Sequence, residues 1–113
     1  MKIINKTKNI ILAEDAIIAD SPFKRIKGLL GKKGLKPGNA LILKPCNSIH
    51  TFFMRFAIDV LFVNKDNRVI KAISRLNPFR LTYIYYHADF AVELTAGIIS
   101  STATCPGDLL SIQ

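Results

Sequence analysis

The sequence predicts a mainly β domain of the α+β class, a small barrel-like assembly of antiparallel or mixed strands with one or two short helices. Apolar and β-branched residues occur in short runs, turn residues separate these runs at close intervals, and only one segment shows a clear helical spacing. The chain has 113 residues, half of them apolar, which is enough for one hydrophobic core. We therefore expect a single domain over residues 1–113.

The first half of the chain predicts a hairpin, a helix and a buried strand. Residues 2–5 and 9–14 are β-branched runs joined by N-K-T-K, the pattern of a hairpin, and Ile17 and Ile18 extend or follow its second strand. In the segment 20–31, capping residues and a proline precede apolar residues at helical spacing, which predicts a short amphipathic helix. The turn K-P-G-N then leads into an apolar strand at 40–43.

The second half predicts four more strands, the first two of them paired as a hairpin, and a second short helix. Residues 58–63 form a buried strand, and the turn N-K-D-N joins it to a partner strand at 68–74. The segment 76–90 lacks clean periodicity and is rich in aromatic residues, so it is either an irregular covering loop or the wall of a site. A strand at 91–94, a possible helix within 96–104 and a last strand at 109–112 complete the order.

The positive charge of the chain is concentrated in one segment. The net charge is +8, and the segment 21–58 contains eight basic residues and no acidic one. Such a block attracts phosphate backbones, anionic lipid headgroups or an acidic partner, although a solvated, solubilising face is the commoner explanation. The basic segment 24–55, with Phe52, Phe53 and Phe56 near its end, therefore makes nucleic-acid binding an alternative function.

The chain carries no sequence signal for membrane insertion or export. Its runs of apolar residues stay well below the roughly 18 that a spanning helix needs. The first residues, M-K-I-I-N-K-T-K-N, are polar where a signal peptide has its apolar stretch, so we expect a cytoplasmic protein without a membrane span. Two cysteines, Cys46 and Cys105, allow at most one disulfide, and free thiols are the simpler expectation.

A polar cluster leads into the strand predicted at 58–63, in the stretch C-N-S-I-H-T-F-F-M-R-F-A-I-D-V-L-F of residues 46–62. Polar groups beside a hydrophobic core are costly unless they are satisfied or functional. Aromatic residues of the segment 83–90 supply a wall for a site. We therefore predict a module that binds a small polar ligand or a protein partner around His50 and Asp59, with a ligand-binding site formed by Ser48, His50, Thr51, Arg55, Asp59 and Glu93.

The charged residues of this site also have structural interpretations. Arg55, Asp59 and Glu93 can form a buried ion-pair network that determines strand register, with His50 hydrogen-bonded beside it. Arg55 and Asp59 lie about 13 Å apart along a straight strand, which favours pairing with other strands. Asp108, in the turn P-G-D, either caps backbone amides or faces the same cleft.

Two kinds of chemistry are alternatives to binding, a hydrolase and a metal site. In a hydrolase, Ser48 or Cys46 would be the nucleophile and His50 its base, with Asp59 or Asp108 orienting the imidazole. Side chains two residues apart on a strand are about 6.5 to 7 Å apart, which is too far for a direct hydrogen bond without a bulge. A metal site is not expected either, nor is any cofactor, since the two cysteines and two histidines lack the paired spacing of structural zinc.

The chain resembles the domain-of-unknown-function 192 family over most of its length. The resemblance rests on four blocks in this order: K-R-I-K-G-L-L-G at 24–31, S-I-H-T-F-F-M-R-F-A-I-D-V-L-F at 48–62, V-E-L-T-A-G at 92–97 and P-G-D at 106–108. Two departures occur, P-G-N-A-L in place of a glycine-rich approach to a strand and Ala57 where a proline is frequent. The resemblance implies a compact, β-rich, barrel-like domain, and it implies no established reaction.

Overall fold

The structure, a computed structural model, describes residues 1–19, 35–52 and 54–113. Over those ranges the chain forms eight strands and one short helix: β1 (Ile3–Asn5), β2 (Ile10–Ala13), β3 (Asp15–Ala19), β4 (Asn39–Leu43), β5 (Ile58–Val63), β6 (Val69–Leu76), β7 (Phe90–Thr95), α1 (Ile98–Thr102) and β8 (Leu110–Ile112). Each strand predicted within these ranges is present, with bounds that differ by no more than two residues. The helix predicted at 20–31 lies outside the described residues.

The described strands form two sheets. One has five strands in the order β3-β4-β7-β5-β6, and it is mixed because β3 and β4 are parallel while the other pairs are antiparallel. The other has three strands in the order β2-β1-β8. The two sheets approach each other at a bridge between Arg68 and Leu109. The mainly β prediction is confirmed, and within the described part of the chain the strands are arranged as two sheets without closing into a barrel.

Strands β5 and β7 lie at the centre of the five-stranded sheet and are buried on both faces. One face of this sheet packs, with α1 and the three-stranded sheet, into a first apolar cluster that contains Leu61, Val92 and Leu94. The opposite face packs into a second apolar cluster that contains Val60, Phe62 and Ala91. Because neighbouring residues of a strand point to opposite faces, each polar residue of β5 or β7 is directed into one cluster or the other.

Two irregular segments, which we call the flap (residues 46–52 and 77–89), contact each other next to the second cluster. Backbone hydrogen bonds join them in antiparallel order, from Tyr85 N to Asn47 O (2.8 Å), from Thr82 N to Ile49 O (3.0 Å) and from Thr51 N to Arg80 O (2.9 Å). Tyr85 packs inward on the core, its ring centroid 4.6 Å from that of Phe62. Through Tyr85 the aromatic segment 76–90 covers part of the core, as the first of its two sequence interpretations predicts, while Phe79, Tyr83 and Tyr86 are exposed.

The described residues contain no helix with both the length and the apolar character needed to cross a bilayer.

Candidate functional site

Asp59 is the second residue of β5, and its side chain is fully buried. Its Oδ2 accepts hydrogen bonds from the backbone amides of Gly97 (3.1 Å) and Ile99 (2.8 Å), and its Oδ1 accepts one from the amide of Arg75 (2.8 Å). The first amides of a helix have no partner within that helix, so the Asp59 carboxylate caps α1 from the adjacent sheet. Asp59 is therefore an anchor that joins β5, β6 and α1.

Glycine at position 97 is required by the geometry of this cap. Gly97 has a φ of +103°, a conformation that side chains with a Cβ rarely adopt, and it directs its own amide and the start of α1 towards Asp59. The sequence block V-E-L-T-A-G thus ends on the residue that allows the chain to turn from β7 into the helix.

Glu93 points to the other face of the same sheet. In the register of β5 and β7, Asp59 lies opposite Leu94 of the first cluster, while Glu93 lies opposite Val60 of the second cluster. Directly opposed residues share a face. The structure therefore does not bring the carboxyl groups of Asp59 and Glu93 into one cleft.

The Glu93 carboxyl group is buried among apolar neighbours. The residue is 5% exposed, and its flanking partners across the sheet are Leu41 on β4 and Val60 on β5. Within the part of the chain that the structure describes, its side chain forms no hydrogen bond or ion pair. Burial disfavours the charged form and raises the pKa of Glu93 to about 7.

Four predicted site residues lie in the first flap segment or shortly after it, and they differ in burial. Thr51 is buried, and its Oγ1 donates to Asn77 O (2.6 Å) and accepts from Arg80 N (2.9 Å), which holds the two flap segments together. His50 is exposed, Ser48 is half-buried and Arg55 is exposed. Among the described residues Arg55 has no ion pair with Asp59 or Glu93. Ligand binding by these six residues stays a prediction, with three of them open to solvent.

The geometry of the flap does not assemble the nucleophile and base of the hydrolase alternative. The His50 ring stacks on Phe52, with centroids 5.1 Å apart, and the Cys46 thiol donates to the backbone carbonyl of Ser48 (3.1 Å). In the described ranges, no hydrogen bond joins the His50 imidazole to Ser48 or Cys46, and no three potential metal ligands lie together. The nucleic-acid alternative through residues 24–55 falls in large part outside the described residues.

The outer surface of the flap carries the feature that the site prediction missed. His50 forms an antiparallel bridge with Leu81, so both side chains point outward, while Ile49 and Thr51, the neighbours of His50 in sequence, point inward. Leu81 is 70% exposed and Tyr83 is 82% exposed. The other exposed apolar residues of the flap are Phe52, Phe79, Ile84 and Tyr86. The alternating stretch F-R-L-T-Y contained a sequence signal for these outward positions, but its irregular continuation obscured it.

A second polar cluster surrounds Asp108, far from the flap in the sequence. Its Oδ2 accepts from Asn5 Nδ2 (2.9 Å), Lys8 Nζ (3.0 Å) and the backbone amide of Cys105 (3.1 Å). Of the two sequence interpretations of Asp108, the structure has the first, a carboxylate that caps a backbone amide. Burial alone raises the pKa of Asp108, but the hydrogen bonds from Asn5, Lys8 and Cys105 outweigh it and lower the pKa to about 2.

Replacing Asp108 with asparagine is expected to lower the free energy of unfolding at pH 7 by about 1–2 kcal/mol, a value reduced for solvent screening near Lys8. The folded pKa lies below the ordinary value, so this contribution is complete above about pH 4 and is lost as the pH falls towards 2. Urea unfolding at pH 7 and at pH 2–4 measures both effects. The control is Asp66→Asn, at an exposed turn position, and an equal loss in both variants would contradict the role of Asp108.

Comparison with known sequences identifies relatives over nearly the whole chain. The sequence profile of the family DUF192, described as an uncharacterized ACR, matches residues 3–112. A UPF0127 protein of Pyrococcus horikoshii is 35% identical over 112 residues, covering 94% of this chain and 94% of the relative. A UPF0127 protein of Pyrococcus furiosus is 34% identical over 113 residues, covering 95% of this chain and 94% of the relative.

Two solved structures share the fold. A protein of unknown function from Novosphingobium aromaticivorans superposes with a TM-score of 0.86 at 17% identity, covering 99% of this chain and 84% of the other. A putative transcription regulator from Sinorhizobium meliloti superposes with a TM-score of 0.78 at 19% identity, covering 97% of this chain and 89% of the other. At these identities the likeness shows the fold alone.

Proposed function

The chain belongs to the DUF192 family of uncharacterized proteins, and from this premise we propose that it is a binding module that engages its partner through the outer face of the flap. His50 and Ser48 of the predicted site lie on the flap, and the exposed Arg55 follows its first segment by three residues. Thr51 positions the flap from inside, whereas Asp59 and Glu93 belong to the scaffold beneath it.

The observation that carries the proposal is the exposure of large apolar side chains on the flap. Tyr83 and Tyr86 are each 82% exposed, Leu81 is 70% exposed and Phe79 is 63% exposed. Isolated apolar residues on a surface need no explanation, but a contiguous group of them favours an interaction site. The bridge between His50 and Leu81, together with the stacking of His50 on Phe52, joins these three exposed residues across the two flap segments. Phe79 and Tyr83 lie at the alternate positions on either side of Leu81.

The flap also has the rigidity and the polar groups that a binding surface needs. Its cross-segment hydrogen bonds and the two bonds of the Thr51 hydroxyl support a defined conformation, which reduces the ordering cost of association. Aromatic anchors surrounded by polar and arginine side chains are typical of interaction surfaces. Ser48 and Arg80 of the flap, together with the exposed Arg55 three residues beyond its first segment, supply such polar groups.

The test compares a flap variant with a matched variant elsewhere. Leu81→Ser/Tyr83→Ser removes two exposed apolar groups from the flap, and Ile17→Ser removes one of similar exposure (60%) from β3. Both changes are expected to alter the free energy of unfolding by less than about 0.5 kcal/mol, because surface substitutions rarely do more. Binding is measured by calorimetry against lipid vesicles, oligonucleotides, a displayed peptide library and sugars.

We expect any partner of the wild-type protein to bind Ile17→Ser equally and the flap variant at least about tenfold more weakly, which corresponds to 1.4 kcal/mol. Equal binding by the flap variant contradicts the proposal, as does the absence of binding across the whole panel. A partner whose binding depends on Glu93 but not on the flap would support the originally predicted polar site instead.

A further inference from the structure

The exposed side chains of the flap differ from those of a surface built only to stack planar rings. Leu81 and Ile84 are aliphatic, and both are more than half exposed, as is Phe79. Aliphatic groups gain little from nucleic-acid bases, whose recognition favours aromatic stacking, but they gain much from transfer into hydrocarbon. Tyr83 and Tyr86 flank them, and tyrosine is enriched where an apolar layer meets water.

Charge on and beside the flap points to an anionic partner. Its only acidic residue is Asp89, and the Asp89 carboxylate is already paired with Lys44 Nζ at 3.4 Å. Arg55 and Arg80 are exposed and have no ion pair among the described residues, and the whole chain carries a net charge of +8. A second copy of the chain would bring like charges together on this face, which disfavours self-association.

The backbone of the flap suits contact with a medium of low polarity. Amides of residues 49, 51, 79, 82 and 85 donate hydrogen bonds within the flap, to backbone or side-chain oxygens of the facing segment. Unpaired backbone groups are costly in an apolar layer, so these cross-segment bonds lower the cost of bringing the flap to a lipid surface. This arrangement lets the side chains at 81 and 84 enter a lipid surface while the flap keeps its conformation.

We propose that the partner of the flap is the surface of an anionic lipid bilayer, on which the protein docks peripherally with Leu81 and Ile84 inserted and Arg55 and Arg80 at the headgroups. This inference rests on the proposed function and names its partner. The docking is reversible, because it relies on a few side chains and on electrostatic attraction that salt weakens.

The first measurement is co-sedimentation with unilamellar vesicles of phosphatidylcholine alone and of equal parts phosphatidylglycerol and phosphatidylcholine. We expect at least tenfold stronger partitioning onto the anionic vesicles, reduced by raising the salt from 0.1 to 0.5 M. A basic protein also adsorbs to anionic vesicles through any charged face, so charge dependence alone does not identify the flap. Leu81→Ser/Ile84→Ser should lose at least tenfold in partitioning, while Ile17→Ser should partition like the wild-type protein.

The second measurement reports insertion directly. The chain contains no tryptophan, so a Tyr83→Trp variant carries a single tryptophan, on the flap, whose emission can be excited selectively, and an Ile17→Trp variant carries one on β3. Anionic vesicles are expected to shift the emission of the first to shorter wavelength, and lipids brominated along their acyl chains should quench it. The emission of the Ile17→Trp variant should stay unchanged. Thermal unfolding of each variant verifies that the fold is retained.

Each outcome separates this inference from the proposed function. Absence of partitioning, or partitioning that Leu81→Ser/Ile84→Ser leaves unchanged, overturns the membrane inference. If a single-stranded 20-mer oligonucleotide or a displayed peptide binds in a flap-dependent manner while vesicles do not, the membrane inference fails and the proposed function stands. If no flap variant changes any binding, both fail.

Discussion

Asp59→Ala is expected to lower the free energy of unfolding by about 3–5 kcal/mol. The substitution leaves the backbone amides of Arg75, Gly97 and Ile99 without their common acceptor; the bond to Ile99 is buried and the other two are partly buried. Hydrogen bonds to a charged group contribute about 1.5–3 kcal/mol each, and they are not fully additive here because one carboxylate accepts all three. The free energy of unfolding of a typical domain is only about 5–15 kcal/mol in total, so this single change removes a large part of the stability.

Asp59→Asn provides a milder variant in case the alanine protein does not fold. Its amide keeps one oxygen acceptor but turns an NH₂ group towards a backbone N–H, so we expect an intermediate loss. Urea unfolding measures the free energies, and hydrogen exchange of the Gly97 and Ile99 amides should accelerate more than that of amides in β1. Asp66→Ala at an exposed turn is the control. If it destabilised the protein as much as Asp59→Ala, the capping role would be wrong.

Glu93 is expected to make the protein less stable as the pH rises from 5 to 8, by about 2–3 kcal/mol. Burial raises the pKa of Glu93 in the folded protein to about 7, above its ordinary value of 4.5. Between those values the folded state keeps a proton that the unfolded state releases, so the unfolded state binds fewer protons and stability falls with increasing pH. The fall begins near pH 4.5 and levels off above pH 7.

Glu93→Gln removes the titrating group and should remove this part of the pH dependence. The free energy of unfolding is measured by urea titration at pH 5, 6, 7 and 8 for the wild-type protein, for Glu93→Gln and for Glu14→Gln, whose side chain is exposed. The control should keep the wild-type slope. Parallel slopes for the wild-type protein and Glu93→Gln would show that Glu93 is charged in the folded protein throughout this range. The Asp108 contribution does not interfere, because it changes only below about pH 4.

Local patterns were sufficient to find the strands. The run at 58–63 is apolar except for one acid, and turn residues bound it closely, so the predicted range coincides with β5. The predicted strand at 68–74 continues instead to Leu76, because its pairing with β5 reaches from Val63 to Ile58. A strand end of this kind depends on the length of its partner, which local sequence does not contain.

The roles of the candidate residues were harder to predict, since they depend on contacts between distant parts of the chain. The sequence indicated Asp59 as a site residue because no group near it in the sequence can satisfy a buried carboxylate. In the structure its hydrogen-bond donors are backbone amides 16 to 40 residues away. The sequence indicated the Thr51 hydroxyl as a ligand-binding group, yet in the structure it forms hydrogen bonds with backbone groups 26 and 29 residues away. Asp108 was interpreted more accurately because the amide of Cys105 lies only three residues away.

By itself the sequence determined the β-rich class, the order of the described strands and the location of the polar and aromatic residues, because these follow from side-chain periodicity and turn chemistry over a few residues. Only the tertiary structure decided that Asp59 and Glu93 face opposite sides of one sheet and that the flap directs Leu81 and Tyr83 outward. Strand alternation sorts residues into two faces, but which face meets a helix, a core or water depends on pairings between segments far apart in the chain.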